Sequence, residues 1–336
     1  MSDALDLHYK LVARAIADGR VVPFFGAGAN LCGRPAGEMW RPGQYLPSGS
    51  ELSAYLAENF DYPVNEPLDL VRVSQYAALM TGSGPLYEEL RRLFDADYPP
   101  TPLHQVFASV PGALRARGYP ASHQLIVTTN YDDMLERSFS AAGEPFDLVA
   151  YVSEGEQRGK FLHTLPGGEV IVIDRPNEYR GLSLEERTVL LKIHGAVDRA
   201  NPDHDSFVIT EDHYIDYLTH TDISNLVPVT LAAKLKRSHF LFLGYALRDW
   251  NLRVILHRIW GEQKLTYKSW AVQLNPSPID QQYWRKRDVD ILDVRLEDYA
   301  AALSERVAAL PVLQTTPEAV RPGAQSPEGA VAGGAS

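Results

Sequence analysis

The chain has 336 residues, 45% hydrophobic and 22% charged, with a net charge of −11; it is long enough to bury a large core in one big α/β domain or two smaller ones. The acidic balance argues against a general binder of nucleic-acid backbones, which needs a basic footprint, and leaves room only for a local basic pocket. One cysteine, Cys32, excludes a disulfide framework and a cysteine zinc site.

In chain order, Leu5–Ala17 has helical spacing and leads into an apolar run, Val21–Gly26. From Ala29 to Ser50 the chain is rich in Gly and Pro without a period, which predicts a long loop of the kind that forms lids or binding loops. Amphipathic patterns then follow in succession (Glu51–Phe60, Asp69–Met80, Leu86–Phe94, His104–Arg115), and residues 51–118 are expected to form an inserted helical module. Further apolar runs are Gln124–Asn130, Val189–Gly195, His239–Tyr245, Ser269–Leu274 and Val289–Val294, with helical patterns at Asp132–Ala142 and Asp249–Trp260. The runs are nearly continuous in apolar residues rather than alternating, as in parallel strands buried on both faces. Together these features predict an α/β fold: a Rossmann-like parallel sheet with helices on both faces. A catalytic domain is expected over 1–310, and the Pro/Gly/Ala/Ser-rich segment 311–336 is expected to be disordered. The opening MSDALDLHYK lacks the layout of a signal peptide and no stretch reads as a membrane span, so a cytoplasmic protein is expected.

Most of the apolar runs end in small or polar residues, where open α/β sheets hold ligands. The first ends in Gly26-Ala27-Gly28-Ala29-Asn30. Its glycines let the backbone turn sharply and approach a pyrophosphate, and amides beyond the turn could donate to phosphate oxygens. The third glycine of the dinucleotide fingerprint is replaced by Leu31, and a simple strand-exit turn explains this motif equally well in isolation. The second ends in Thr128-Thr129-Asn130-Tyr131-Asp132. Asn130 offers a donor and an acceptor suited to ribose hydroxyls or a water, whereas capping of the following helix is the alternative role for Asn130 or Asp132. The third ends in Lys192-Ile193-His194-Gly195. Of the ten histidines, only His194 stands at the end of a buried-strand pattern beside a glycine, where imidazole can exchange a proton into a cleft. A fourth, Gly244-Tyr245-Ala246-Leu247-Arg248-Asp249, offers Asp249 as a helix cap or as an acceptor for a ribose or adenine group.

The motifs Gly-Ala-Gly, Thr-Thr-Asn-Tyr-Asp, Lys-Ile-His-Gly and Gly-Tyr-x-x-x-Asp, in this order over residues 10–305, resemble the sirtuin family, and in particular its bacterial branch found in antiviral defence. The resemblance implies that NAD is the substrate and that Gly26, Ala27 and Gly28, with Asn30, Thr129 and Asp132, line its site. It implies that Asn130 and His194 are catalytic, and that Gly244, Tyr245 and Asp249 lie near the adenosine half. Two departures stand out. The four-cysteine zinc module of the deacylases cannot be built here, and 151–184, where it would lie, is Gly- and charge-rich with no metal-ligand pattern. Asn30 stands where many deacylases have serine. Without the peptide groove, water becomes the expected acceptor, giving an NAD hydrolase that makes nicotinamide and ADP-ribose; a deacylase, an ADP-ribosyltransferase or a non-catalytic NAD or ADP-ribose sensor is the alternative. Trp40 and Tyr45 of the long loop are expected to close over the nicotinamide side or to pack internally. The resemblance further implies control by self-assembly into a homo-oligomer or by a separately encoded partner, a HerA-like ATPase or an Argonaute-like protein.

His204, His213 and His220, with Asp203, Asp205 and Asp212, have spacings that fit no metal-ligand pattern, so a solvated surface and no metal are expected.

Overall fold

The computed structural model describes residues 2–219, 227–245, 253, 256 and 267–313. Nine strands form one sheet: β1 (Val21–Phe25), β2 (Leu125–Thr128), β3 (Phe146–Tyr151), β4 (Phe161–Thr164), β5 (Val170–Ile173), β6 (Thr188–Lys192), β7 (His239–Leu243), β8 (Ser269–Val272) and β9 (Val289–Leu292). Their order is β5-β4-β3-β6-β2-β1-β7-β8-β9. The run from β3 to β9 pairs in parallel, and β4 and β5 extend its edge as an antiparallel hairpin. This is the expected α/β, Rossmann-like architecture, with the addition of β3 and the hairpin, which the apolar runs did not announce.

The strands form where they do because their side chains divide cleanly between two cores. Val22, Phe24, Leu125, Val127, Val189, Leu191, Phe240 and Phe242 enter one apolar cluster. Their neighbours Val21, Phe25, Ile126, Leu190, Leu241 and Leu243 enter the other. Alternation with both faces buried is what makes such strands read as continuous apolar runs. The second cluster is roofed by α1 (Ser2–Ala17), α5 (Pro102–Arg115), α6 (Met134–Ala141) and α10 (Leu296–Ala308). The first is covered by α7 (Glu211–Thr219), α8 (Val229–Lys236) and α9 (Pro278–Arg285).

Within residues 51–118, α2 (Gly49–Asn59), α3 (Leu70–Thr81) and α4 (Ser83–Phe94) share a third core built on Leu52, Leu56, Val73, Leu86 and Leu90, whereas α5 packs on the sheet. Their starts follow from local chemistry. Ser48 and Glu51 form a reciprocal capping box at α2, and Asp69 accepts from the amides of Val71 and Arg72 at α3. Tyr131, Met134, Phe207 and Ile209 join this third core, so the helices sit on the loops at the carboxyl edge of the sheet. Apart from residues 253 and 256, the stretch Asp249–Trp260 expected to be a helix lies outside the described residues, as does the segment 314–336. No described helix is long and apolar enough to cross a membrane.

Candidate functional site

β1 is flanked by β2 on one side and β7 on the other, so the chain's direction of travel across the sheet reverses at β1. Crevices open at the carboxyl ends of strands at such a switch point. A cavity of about 750 Å³ lies there, a size suited to a dinucleotide. Its wall includes Gly26, Ala27, Gly28 and Asn30 after β1, Thr129, Asn130 and Asp132 after β2, His194 after β6, and Gly244 and Tyr245 after β7. Residues predicted separately at four strand ends are therefore brought to one cavity. Asp249 lies outside the described residues.

The turns after β1 and β7 are docked on each other. The Gly26 amide donates to Leu243 O at 3.0 Å, the Gly28 amide to Gly244 O at 2.8 Å, and the Ala29 amide to Gly26 O at 2.9 Å. A Cβ on Gly28 would stand 2.7 Å from Gly244 O, and one on Gly26 would stand 2.6 Å from a ring carbon of Tyr245. The sequence expectation was that glycines and amides here serve a phosphate. In the structure the amides of Gly26 and Gly28 hold the two turns together, the Ala29 amide closes the β1-exit turn on itself, and lack of bulk at the glycines permits the contact. A short 3₁₀ helix, Ala27–Leu31, opens the segment read as a loop.

The β2 exit is stitched to the β1 exit. Thr128 Oγ1 donates to Phe25 O at 3.1 Å and accepts from the Asn130 amide at 2.9 Å, while Asn130 Nδ2 donates to Gly26 O at 3.2 Å. Asp132 Oδ1 accepts from the Met134 amide at 3.2 Å, just before α6, whose N-cap residue is Asp133, and Oδ2 accepts from Asn30 Nδ2 at 2.8 Å.

Lys192, almost fully buried, donates from Nζ to Asp132 O and to Glu136 Oε1, each at 2.5 Å. One lysine thus ties the end of β6 to the turn that carries Asn130 and Asp132. Burial raises the Glu136 carboxyl above its ordinary range despite Lys192. In Lys192→Met the carboxyl loses its partner and takes up a proton on folding. The variant is expected to be about 2 kcal/mol less stable near neutral pH, as for a buried group left without its partner. A carboxyl raised on folding stabilises below its unfolded value of 4.5 and loses that contribution as pH rises. Denaturant melts should therefore show a gap from wild type that widens from pH 5 to pH 8; a constant gap would contradict this pairing.

His194 is 3% exposed, with its ring against the edges of Tyr214 and Tyr217 at centroid distances of 5.4 and 5.9 Å. Burial alone pushes it down to about 3, so the imidazole is neutral at pH 7. Its Nε2 has no hydrogen-bond partner among the described residues. The turn beyond it needs Gly195, which has φ +87° and would bring a Cβ within 2.2 Å of Ser206 O. His104, also enclosed, is pushed down to about 4 by burial. A histidine depressed on folding stabilises above its unfolded value near 6.5 and loses that contribution as pH falls toward the folded value. Each of the two should remove up to about 1.4 kcal/mol per pH unit below that point. Melting temperature is expected to fall between pH 7 and pH 5, before the carboxylates titrate; a flat curve over that interval would contradict it.

Several walls of the cavity escaped sequence reasoning. Val272 ends β8 and Gln273 and Leu274 follow it, Val294 and Arg295 follow β9, Ser48–Ser50 open α2, and Leu70, Phe94 and Tyr214 come from helices. The strand-end rule reaches the β8 and β9 residues once those strands are placed at the same edge. No local signal marks the helical ones. Cys32 also lines the cavity, its thiol pushed up to about 11 mainly by burial, which makes it a poor nucleophile.

Of the two roles open to Trp40 and Tyr45, a cover over the nicotinamide side or internal packing, the structure shows packing for Trp40. Neither lines the cavity. Trp40 Nε1 donates to Tyr45 O at 2.6 Å and its ring meets Tyr55 edge-on at 5.4 Å, so Trp40 packs in the helical module, while the Tyr45 ring lies against the Arg34 guanidinium at 5.5 Å. The acidic and histidine-rich stretch is taken up by internal pairs: His204 with Asp198 at 3.0 Å, His213 with Glu154 at 2.9 Å and Asp205 with Arg91 at 2.7 Å. Among the described residues no group of three or more His, Cys, Asp and Glu could hold a metal.

Residues 124–292, running from β2 to the end of β9, match the SIR2-like domain family. The chain belongs to the SIR2-like family. Defense-associated sirtuin 2 of Bacillus subtilis is 24% identical over 293 residues, covering 84% of this SIR2-like chain and 24% of that protein. The NAD(+) hydrolase ThsA of Acinetobacter baumannii is 26% identical over 250 residues, covering 74% of the chain and 41% of that protein. ThsA of Enterococcus faecium is 26% identical over 252 residues, covering 74% and 42%. The SIR2-like chain spans from about a quarter to about two fifths of the length of these curated relatives.

Proposed function

We propose that this SIR2-like protein is an NAD hydrolase that cuts the nicotinamide–ribose bond and releases nicotinamide and ADP-ribose, acting as the NAD-depleting effector of an antiphage, abortive-infection system. The observation that carries the reading is the neutral, buried His194 on the wall of a dinucleotide-sized cavity, its Nε2 without a partner among the described residues. The names of the relatives, a defence-associated sirtuin and NAD hydrolases, support the same direction.

In this reading the C–N bond breaks with its electron pair leaving on nicotinamide, and positive charge develops on the ribose. Nicotinamide is a good leaving group, so a strong acid is not required. His194 Nε2 takes the proton of the attacking water as its oxygen bonds to the ribose carbon, and one proton is released in the net reaction. Asn130, held by the Gly26 carbonyl, orients the ribose and the water. The aromatic wall of Tyr214 and Phe94 keeps other water away.

The single cysteine favours water over an acylated peptide as acceptor. Constitutive NAD loss would kill the host, so activity is held off until infection by self-assembly or by a separately encoded ATPase or Argonaute-like partner. The test is cellular NAD during phage infection of bacteria expressing the chain with its genomic neighbours. NAD should fall with the wild-type chain and hold with Asn130→Ala; equal NAD in the two strains would overturn the reading.

A further inference from the structure

Lys192 ends β6 in register with Thr128 of β2, and just beyond this pair the Ile193 amide still donates to Thr128 O at 3.0 Å. The two chains then part, one toward Asn130 and the other toward His194. Two further ties cross between them. Tyr131 makes the first: its carbonyl accepts from the Val197 amide at 2.9 Å and its hydroxyl donates to Val208 O at 2.8 Å, while the Val208 amide donates to His194 O at 2.9 Å. Lys192 makes the second, from Nζ to Asp132 O. That carbonyl is left to it because the Arg137 amide of α6 donates to Asp133 O. Lys192 is 1% exposed, with Glu136 as its counter-ion at 2.5 Å. Burying both ions carries a desolvation cost that apolar side chains of the same volume escape, and replacing such a pair is often neutral or stabilising. Stability therefore does not account for the pair. Its place does: it reaches from two residues before His194 to two residues after Asn130.

We infer that Lys192 is a positioning residue for catalysis: through the Asp132 carbonyl it fixes the turn that carries Asn130 relative to His194. This rests on the hydrolase reading above, in which Asn130 orients the water that His194 deprotonates. Lys192 does not line the cavity, so it acts through these two residues and not on the dinucleotide. Its loss should lower turnover and spare binding, because a displacement of about 1 Å between reacting groups costs about a hundredfold in rate.

Two variants separate position from stability. Lys192→Met leaves the Glu136 carboxyl without its partner. Lys192→Met/Glu136→Leu removes both ions and should recover much of the melting temperature that the single variant loses. Turnover should not follow stability. Nicotinamide release at saturating NAD is measured with the full chain, alone and with the products of its genomic neighbours, and should fall at least about tenfold in both variants. Calorimetric affinity for an NAD analogue with a carbocyclic nicotinamide-bearing ring, which cannot be hydrolysed, should stay within about threefold of wild type. Turnover in the double variant within about threefold of wild type would make Lys192 a packing residue and overturn the inference, leaving hydrolysis by His194 in place. A loss of affinity with turnover at saturation unchanged would overturn it as well. Absence of nicotinamide release from the wild-type chain under both conditions overturns the hydrolase reading and the inference with it.

Discussion

His194→Gln protein is expected to fold, to bind NAD, and to release nicotinamide at least about a hundredfold more slowly than wild type, the lower end of what a positioned general base contributes. Glutamine approximates the ring's length and keeps a polar end in the space between Tyr214 and Tyr217, so loss of turnover would not reflect an emptied core. His194→Ala should lose turnover to the same degree, with a drop in melting temperature from the lost packing. Asn130→Ala should also abolish nicotinamide release, and it removes the bond to Gly26 O that joins the β1 and β2 exits. The chemical signature is a pH profile. With His194 pushed down to about 3, turnover should show no acid limb near the ordinary histidine value and should persist until the protein unfolds. Full turnover by folded His194→Gln protein would remove the histidine from the mechanism.

Gly244→Ala should be among the most damaging small substitutions in the chain. Gly244 has φ +67°, and a Cβ there would stand 2.0 Å from the Ala29 nitrogen, an atom of the backbone that cannot swing aside. Strained φ and overpacking each cost about 1–3 kcal/mol, so a loss of about 4 kcal/mol is expected. The effect should reach the ligand as well. To make room, the turns after β1 and β7 must separate, breaking the bond from the Gly28 amide to Gly244 O that joins two walls of the cavity. Denaturant melts would read the first effect, and NAD binding under folding conditions the second. A Gly244→Ala chain with wild-type stability and affinity would show that the docked turns do not shape the site.

Five of the six apolar runs were legible because they bury both faces; the sixth, β9, lies at the sheet edge and is only partly buried, and it shows through Val289, Ile291 and Leu292. β3 was not legible, since Asp147 lies inside it, fully buried and paired with Arg187 and His163. A buried carboxylate interrupts the apolar run, and its partners lie 16 and 40 residues away in sequence. The β4–β5 hairpin did carry a local signal, Leu165-Pro166-Gly167-Gly168-Glu169, a turn composition between two short β-branched or aromatic stretches. At the site, sequence found residues whose position at a strand end marks them. It assigned the glycines to phosphate contact, when the contacts that most need them are between two turns distant in sequence. It left open whether Asp132 caps a helix or serves the site; in the structure Asp133 is the N-cap of α6, and Asp132 accepts from the Met134 amide and from Asn30 Nδ2. Trp40 looked like a cover because aromatic residues in a long loop can serve either purpose; only the packing against Tyr55 decides.

The central claim, hydrolysis by His194 and Asn130, is tested most directly by mass spectrometry of NAD incubated with the purified full chain, alone and with the products of its genomic neighbours, in the absence of peptide. Nicotinamide and ADP-ribose should appear in equal amounts with wild type and be absent with Asn130→Ala. Nicotinamide release only when an acylated peptide is supplied, or NAD that is bound and stays intact, would contradict it.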